Sequence, residues 1–426
     1  MALLSREEVD LLLYGASEVA TPIGPAPLTG PKLGRLKVIR DGAVAVKNGW
    51  IVAVGRTQEL KRSFEALEEL DVSGQTIVPG FVDAHTHLVF APEGFRPEEL
   101  RMKLEGLSYM EILARGGGIM KTVRATRAAS KERLKRECLR RLDAMLLNGT
   151  TTVEAKSGYG LTVEDELKCL EALKEAGEEH PVDLVATFLG AHAIPPEYEG
   201  RPWDYVDLIV SEMLPRVAEA RLASFCDVFC EEGVFTLEQA RSVLEAGLKH
   251  GLKPKLHADE FSDTGGAMLA AELKATSADH LLCSSEEGLR AMAEAGVVGV
   301  LLPASPLTTM LGRFANARRM IELRVPVALG SDFNPNCPVQ DMQLVMSLAC
   351  YCMRMTQSEA LTAATLNAAH ALGLSSEVGS IEVGKRADMV VLDAPSHEHL
   401  GYRLGANLVR HVVKSGRIVV EDGKIA

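Results

Sequence analysis

The chain has 426 residues, 47% hydrophobic and 24% charged, proportions that exclude a disordered, collagen-like or coiled-coil chain and leave room for two or three domains or one large barrel with an appendage. Its 46 basic against 58 acidic side chains give a formal net charge of -12, which repels phosphate backbones and anionic bilayers, so neither nucleic acid nor a membrane is an expected partner. The start, MALLSREEVDLLLYGAS, interrupts its leucines with Arg6, Glu7, Glu8 and Asp10, and so lacks both a signal-peptide core and the ~20 apolar residues that span a bilayer; a cytoplasmic protein is expected.

Residues 36–78 read as short β segments with turns at Asp41-Gly42 and Asn48-Gly49, both hairpin dipeptides. The same grammar returns at the other end in SIEVGKRADMVVLD and NLVRHVVKSGRIVVEDGKIA, with turns at Ser415-Gly416 and Asp422-Gly423. The two termini are therefore expected to build one small β-sandwich, residues 1–78 with 380–426. Across residues 79–379 short apolar strands alternate with amphipathic helices, the pattern of repeated βα units and a parallel sheet. The strand candidates are TIVPGFVDAH, TTTVEAKS, DLVATFLGA, CDVFCEEG, KPKLHADE, ATSADHLL, VVGVLLPAS and VPVALGSD. That is the count of an α/β fold of the (β/α)8 TIM-type barrel, which places its chemistry at the carboxyl ends of the strands.

Those ends carry the polar residues. Strand one closes on His85-Thr86-His87, and because strand side chains alternate, both imidazoles can reach one point. Strand five ends in His257-Ala258-Asp259-Glu260, strand six in Asp279-His280 and strand eight in Ser331-Asp332. Only eleven histidines occur, and four of them fall where a barrel would gather them. Three imidazoles with a carboxylate suit Zn²⁺ or iron, and an open position on such an ion would bring the pKa of a water toward ~7. Strand four ends Cys230-Glu231-Glu232-Gly233 without a lysine to bridge a second ion, so one metal per subunit is expected; Lys156 on strand two reads as a supporting or structural residue.

Other features have plainer readings. Eight cysteines without a C-x-x-C pair point to buried, reduced thiols, Cys226 with Cys230 and Cys350 with Cys352 included. The run Gly116-Gly117-Gly118 has no following Lys-Ser/Thr and is taken to close a helix, as a close-approach loop near the pocket. The basic stretch RATRAASKERLKRECLRR is taken as a solvated helix face.

The segments PGFVDAHTH, HADE, SADHL, GSDFNP and GSIEVGKRADMVVLD together resemble the metal-dependent amidohydrolase superfamily over nearly the whole chain. Within it, SYMEILARGGGI, KSGYGL, FLGAHAIPPEY and ALGSDFNP are similar to members that hydrolyse the lactam C–N bond of 4-imidazolone-5-propanoate to N-formimidoyl-L-glutamate, a step of histidine breakdown. The resemblance implies His85, His87, His257 and Asp332 as ligands of one Zn²⁺ or Fe²⁺/Fe³⁺. It places Glu260 and His280 at the reacting water, with Asp332 able to share the proton transfer. It implies Arg96 for the substrate carboxylate, with Tyr109, Tyr159, His192, Glu260, Asn334 and Asn336 around the ring and its arm, and a homodimer. Three places depart from the family pattern: LVFAPEGF is longer than the usual link before Arg96, LLPASPLTTML lacks aromatic residues, and Asn336-Cys337 replaces a Gly-Ser type turn. A deaminase or hydrolase of another small cyclic amide or amidine would keep the metal donors without needing Arg96, Tyr159 and His192 together. A metal-free scaffold would have no reason to carry the whole donor set with Glu260 and His280.

Overall fold

The computed structural model describes residues 6–107, 111 and 117–426. Both ends of the chain meet in one nine-stranded sheet, formed by β1 (Glu7–Pro22), β2 (Leu36–Lys47), β3 (Trp50–Arg56), β4 (Phe64–Asp71) and β5 (Thr76–Pro79), and by the four strands that close the chain. Between them run the barrel strands β6 (Phe81–Asp83), β7 (Thr150–Lys156), β8 (Asp183–Ala191), β9 (Phe225–Cys230), β10 (Lys253–Ala258), β11 (Ser277–His280), β12 (Val298–Leu301) and β13 (Val327–Leu329). The closing strands are β14 (Met389–Leu392), β15 (Val409–Lys414), β16 (Arg417–Glu421) and β17 (Lys424–Ile425).

The terminal sheet runs β17-β16-β15-β14-β5-β1-β2-β3, with β4 also paired to β1. It wraps a core that includes Leu11, Leu13, Val44, Ile77, Met389 and Val413, while Val9, Leu12, Ala43 and Leu60 fill a second core. The layers of the expected sandwich are therefore one continuous sheet. Its organiser is β1, which pairs β2 along its length and divides its other edge between β4 and β5. No alternation marks this strand in the sequence, because most of its side chains from Val9 onward are buried or half-buried.

Asn48-Gly49, Ser415-Gly416 and Asp422-Gly423 all adopt positive φ at both residues and turn tight hairpins. Asp41-Gly42 does not. Here β2 runs straight through, Gly42 pairing with Ala16 of β1 and Arg56 of β3, Asp41 takes its positive φ within the strand, and the register shift between Leu13 and Ala16 puts the extra residue on β1. A Cβ on Gly42 would lie 2.6 Å from the Val19 side chain, so the glycine answers a close approach within the sheet.

The eight barrel strands are parallel and each pairs with its neighbours in chain order. The ring closes just beyond β6 and β13, where His87 N–H donates to the Phe333 carbonyl at 2.8 Å and Asp332 N–H to the His85 carbonyl at 3.0 Å. Closure thus falls on the very residues that carry the candidate chemistry. The helices outside begin where the sequence places hydroxyl caps: Ser130 before Lys131–Leu147, Thr162 before Val163–Glu179, and Thr236 and Thr356 in capping boxes with Gln239 and Glu359.

Three smaller expectations change. The basic stretch does present Lys131 and Arg133 to acidic partners, but Arg141 at its end is buried, lies 3.7 Å from the Phe90 ring centre and donates to the Leu88 and Phe90 carbonyls. It holds the loop after β6 because those carbonyls have no strand partner. Gly118 opens the helix Ile119–Ala128, with its N–H bound by the Glu99 carboxylate; residues 112–116, where the expected helix end falls, lie outside the described residues. All eight cysteines are free, with Cys226 and Cys230 buried and Cys350 and Cys352 half-buried. Among the described residues no helix is long and apolar enough to cross a membrane.

Candidate active site and metal centre

The carboxyl ends of the barrel strands bring His85, His87, His257, His280 and Asp332 together, all of them buried. Asp332 Oδ1 lies 3.6 Å from the Nε2 atoms of both His85 and His87, and His87 Nε2 lies 3.3 Å from His257 Nε2. Two overlapping sets of donor atoms converge, His85 with His87 and His257, and His85 with His280 and Asp332. The arrangement fits a metal ion on chemical grounds. His85 Nε2 is buried without a hydrogen-bond partner, and the Nε2 atoms of His87 and His257 face each other at 3.3 Å, a separation that suits two donors on one ion. Burial pushes His85, His87 and His280 well below the usual imidazole range, which keeps their lone pairs free to coordinate.

Carboxylates support the other face of two of these rings. Asp279 Oδ2 sits 2.6 Å from His85 Nδ1, and Asp227 Oδ2 sits 3.0 Å from His257 Nδ1. Such contacts fix which ring nitrogen carries the proton and therefore which one coordinates. Burial would raise the Asp227 carboxyl, but His257 and Lys156 beside it outweigh burial and hold it well below the usual range. These supporting acids were not assigned roles from the sequence. The available signal for Asp227 is a single acid inside the otherwise apolar strand FCDVFC, and for Asp279 its place next to His280 in SADH.

The backbone is strained where the chemistry sits: Asp259, His280 and Asp332 adopt φ of 53°, 76° and 53°. Asp259 explains how its neighbour is aimed. Its carboxylate accepts from Gly266 and Ala267 N–H and from the Ser284 hydroxyl, anchoring the turn so that Glu260 points into the site. Gly330 is needed for the same packing, since a Cβ there would stand 2.9 Å from the Cβ of His85. Glu260 Oε1 lies 3.6 Å from His280 Nδ1 and accepts from the Ser305 hydroxyl at 3.4 Å. Burial, followed by the Asp332 carboxylate, raises the Glu260 carboxyl well above its usual range, and burial raises Asp332 to about 6. Ser305, beyond β12, escaped the sequence reading because a lone serine in PASPL carries no spacing signal.

The remaining candidates divide. Tyr159 and His192 line the same mouth: the His192 ring stacks on His87 at 4.8 Å and the Tyr159 ring centre is 5.2 Å from that of His192. His192 Nδ1 donates to the Gly158 carbonyl at 3.0 Å, and burial brings its pKa down to about 3, so Nε2 is left as an acceptor. Arg96, 9% exposed at its side chain, meets Glu99 at 3.5 Å and keeps its Nε unpartnered; its charge acts on both Tyr159 and His192. Phe90, Phe95, Phe229 and Phe333 supply aromatic surface nearby, so the wall that the loop after β12 lacks comes from other strands.

Asn334 is committed elsewhere. Its amide donates to the Asp332 carbonyl at 2.8 Å and to Oδ1 at 2.9 Å, while its oxygen accepts from Asn336 and Cys337 N–H. The Asn336 side-chain oxygen accepts from Lys103 Nζ at 2.7 Å, joining this turn to the helix Pro97–Leu104. Tyr109 lies outside the described residues.

The match to the Amidohydrolase family spans residues 76–419. The chain is 52% identical over 422 residues to a protein named imidazolonepropionase from Symbiobacterium thermophilum, covering 98% of this chain and 99% of that protein. It is 53% identical over 422 residues to the imidazolonepropionase of Geobacillus kaustophilus, covering 97% and 99%. Among solved structures, Escherichia coli guanine deaminase aligns with a TM-score of 0.73 at 19% identity over 96% of this chain and 98% of that one, a likeness that shows the fold. With this fold, these donors and these relatives, the chain belongs to the amidohydrolase family, in the branch that holds the imidazolonepropionases.

Proposed function

We propose that this hydrolase opens 4-imidazolone-5-propanoate at its lactam C–N bond, giving N-formimidoyl-L-glutamate. The observation that supports the reading is Arg96 beside Tyr159 and His192, whose rings stand against the donor His87. A buried guanidinium with an unpartnered Nε suits a propanoate arm, and the ring then lies over the imidazole donors.

His85, His87, His257 and Asp332 would hold one Zn²⁺ or iron ion, which when bound supplies Lewis acidity toward the carbonyl and acidifies a water. The chain's own groups do the rest. Glu260 is a stronger base than an exposed carboxylate because burial has raised its pKa, and it takes a proton from the attacking water. As the water oxygen bonds to the ring carbonyl carbon and the C–N bond breaks, the same carboxyl returns that proton to the departing nitrogen. His280, neutral through burial, donates an N–H to the carbonyl oxygen as it gains charge. His192 Nε2 accepts from a ring N–H, and Tyr159 closes the other side.

The test is turnover of freshly generated 4-imidazolone-5-propanoate, followed by loss of its ultraviolet absorbance and by mass identification of the product, with a metal-stripped control. Metal-dependent formation of N-formimidoyl-glutamate is expected. Its absence with folded, loaded protein would move the search to other cyclic amides or amidines. Metal analysis of the purified protein decides between zinc and iron, and light scattering tests the homodimer that the resemblance implies.

A further inference from the structure

Lys156 is a charged side chain that the hydrolytic scheme does not use. It ends β7 wholly buried, with Nζ 2.6 Å from Glu154 Oε1, 2.8 Å from Asp227 Oδ2 and 3.6 Å from Asp279 Oδ2. Two of those oxygens are the same atoms that face the donor imidazoles, Asp227 Oδ2 toward His257 Nδ1 and Asp279 Oδ2 toward His85 Nδ1. One ammonium therefore stands a single carboxylate away from two candidate metal ligands.

The position is informative because such a cluster is an expensive way to fill a barrel. Burying charges is costly, and apolar side chains of similar volume often serve stability as well or better. The contacts also link strands that are not neighbours. The ladder joins β7 to β6 and β8, whereas the Lys156 side chain spans the interior to β9 and β11. Lys255 completes the layer, 3.5 Å from Glu154 and donating to the Ala84 carbonyl just before His85.

We propose that Lys156 is a positioning residue for the metal centre. It draws Asp227 and Asp279 to one point, so that Asp279 Oδ2 bonds His85 Nδ1 at 2.6 Å, Asp227 Oδ2 stands 3.0 Å from His257 Nδ1, and the two Nε2 atoms converge above. The role does not depend on which cyclic amide is hydrolysed, and its test reads metal binding rather than turnover.

The full-length protein, loaded with Zn²⁺, is titrated with a chromophoric chelator to obtain its affinity for the ion. Lys156→Met is expected to weaken Zn²⁺ binding by ~10–100-fold, the usual cost of losing an outer partner of a metal ligand, with near-ultraviolet circular dichroism unchanged. Asp279→Asn should weaken it similarly, and the double variant by less than the product of the two single effects, because both act on His85. Wild-type affinity in folded Lys156→Met, or effects that multiply in full, would overturn the proposal. Should Lys156→Met not fold, Lys156→Gln is titrated and read the same way. Asp279→Asn with unchanged Zn²⁺ affinity would sink the route through His85 whatever the lysine variants do.

Discussion

The Asn334 amide group donates to both the backbone carbonyl and the side-chain Oδ1 of Asp332, at 2.8 and 2.9 Å. Asp332 is in a left-handed backbone conformation, and these two bonds hold its carboxylate toward the imidazoles. Removing them with Asn334→Ala should lower metal occupancy and reduce kcat by ~10-fold or more, as loss of an orienting partner does elsewhere, while KM changes little. Metal analysis beside steady-state kinetics decides it. A raised KM at full occupancy would instead put Asn334 on the substrate, as the family resemblance implies.

Glu260→Gln keeps the shape of the site and removes the base. Turnover should fall by ~10²–10⁴-fold with metal content and circular dichroism unchanged. Near-normal kcat would take the proton transfer away from Glu260 and leave His280 or Asp332 to perform it.

Ser305 is the hydroxyl that touches Glu260, at 3.4 Å. A hydrogen bond this long is worth about 1 kcal/mol, so Ser305→Ala should cost ~5-fold in kcat, and Ser305→Thr should recover most of it. Equal losses in both variants would point to packing at this position rather than to the hydroxyl.

Arg96→Ala should raise KM and lower kcat/KM by ~10–100-fold, the range for a charge-assisted bond to a carboxylate, with normal metal content. A ring analogue without the propanoate arm should be hydrolysed equally by both proteins. Loss of activity on both compounds would mean that Arg96 orders the loop after β6 and leaves the arm alone.

Acid should loosen the terminal sheet at Glu18. Burial alone would raise this carboxyl, but hydrogen bonds from the His397 ring and backbone, with Arg40 at 3.0 Å, hold it below its usual value of 4.5. A depressed folded pKa means the contribution is fully present above about 4.5 and is lost as pH falls through the folded value. Thermal melts between pH 6 and pH 3 should therefore show a shallower acid decline for Glu18→Gln than for the unaltered protein.

The barrel count and the donor histidines were legible because both depend on local rules. A His-Thr-His segment continuing the line of β6 sends both imidazoles to one side, and a run of βα units must put its strand ends on one rim. The turn dipeptides were legible for the same reason in three cases out of four. Asp41-Gly42 fails because a positive φ also occurs inside a continuous strand, and only the pairing of Gly42 with Ala16 and Arg56 shows that the chain does not turn there. Strand β1 was hidden by burial, and Arg141 by the loop carbonyls that draw it inward from a basic helix.

The sequence by itself determined which chemical groups stand at the strand ends, since side-chain direction along a strand repeats every two residues whatever lies across the barrel. Which oxygen meets which nitrogen was decided only in three dimensions. Asp279 under His85, Asp227 under His257, Lys156 between them, and Asn334 spent on Asp332 are contacts between strands or within a strained turn. They depend on the stagger with which eight strands close, a property of the whole ring that no single segment carries.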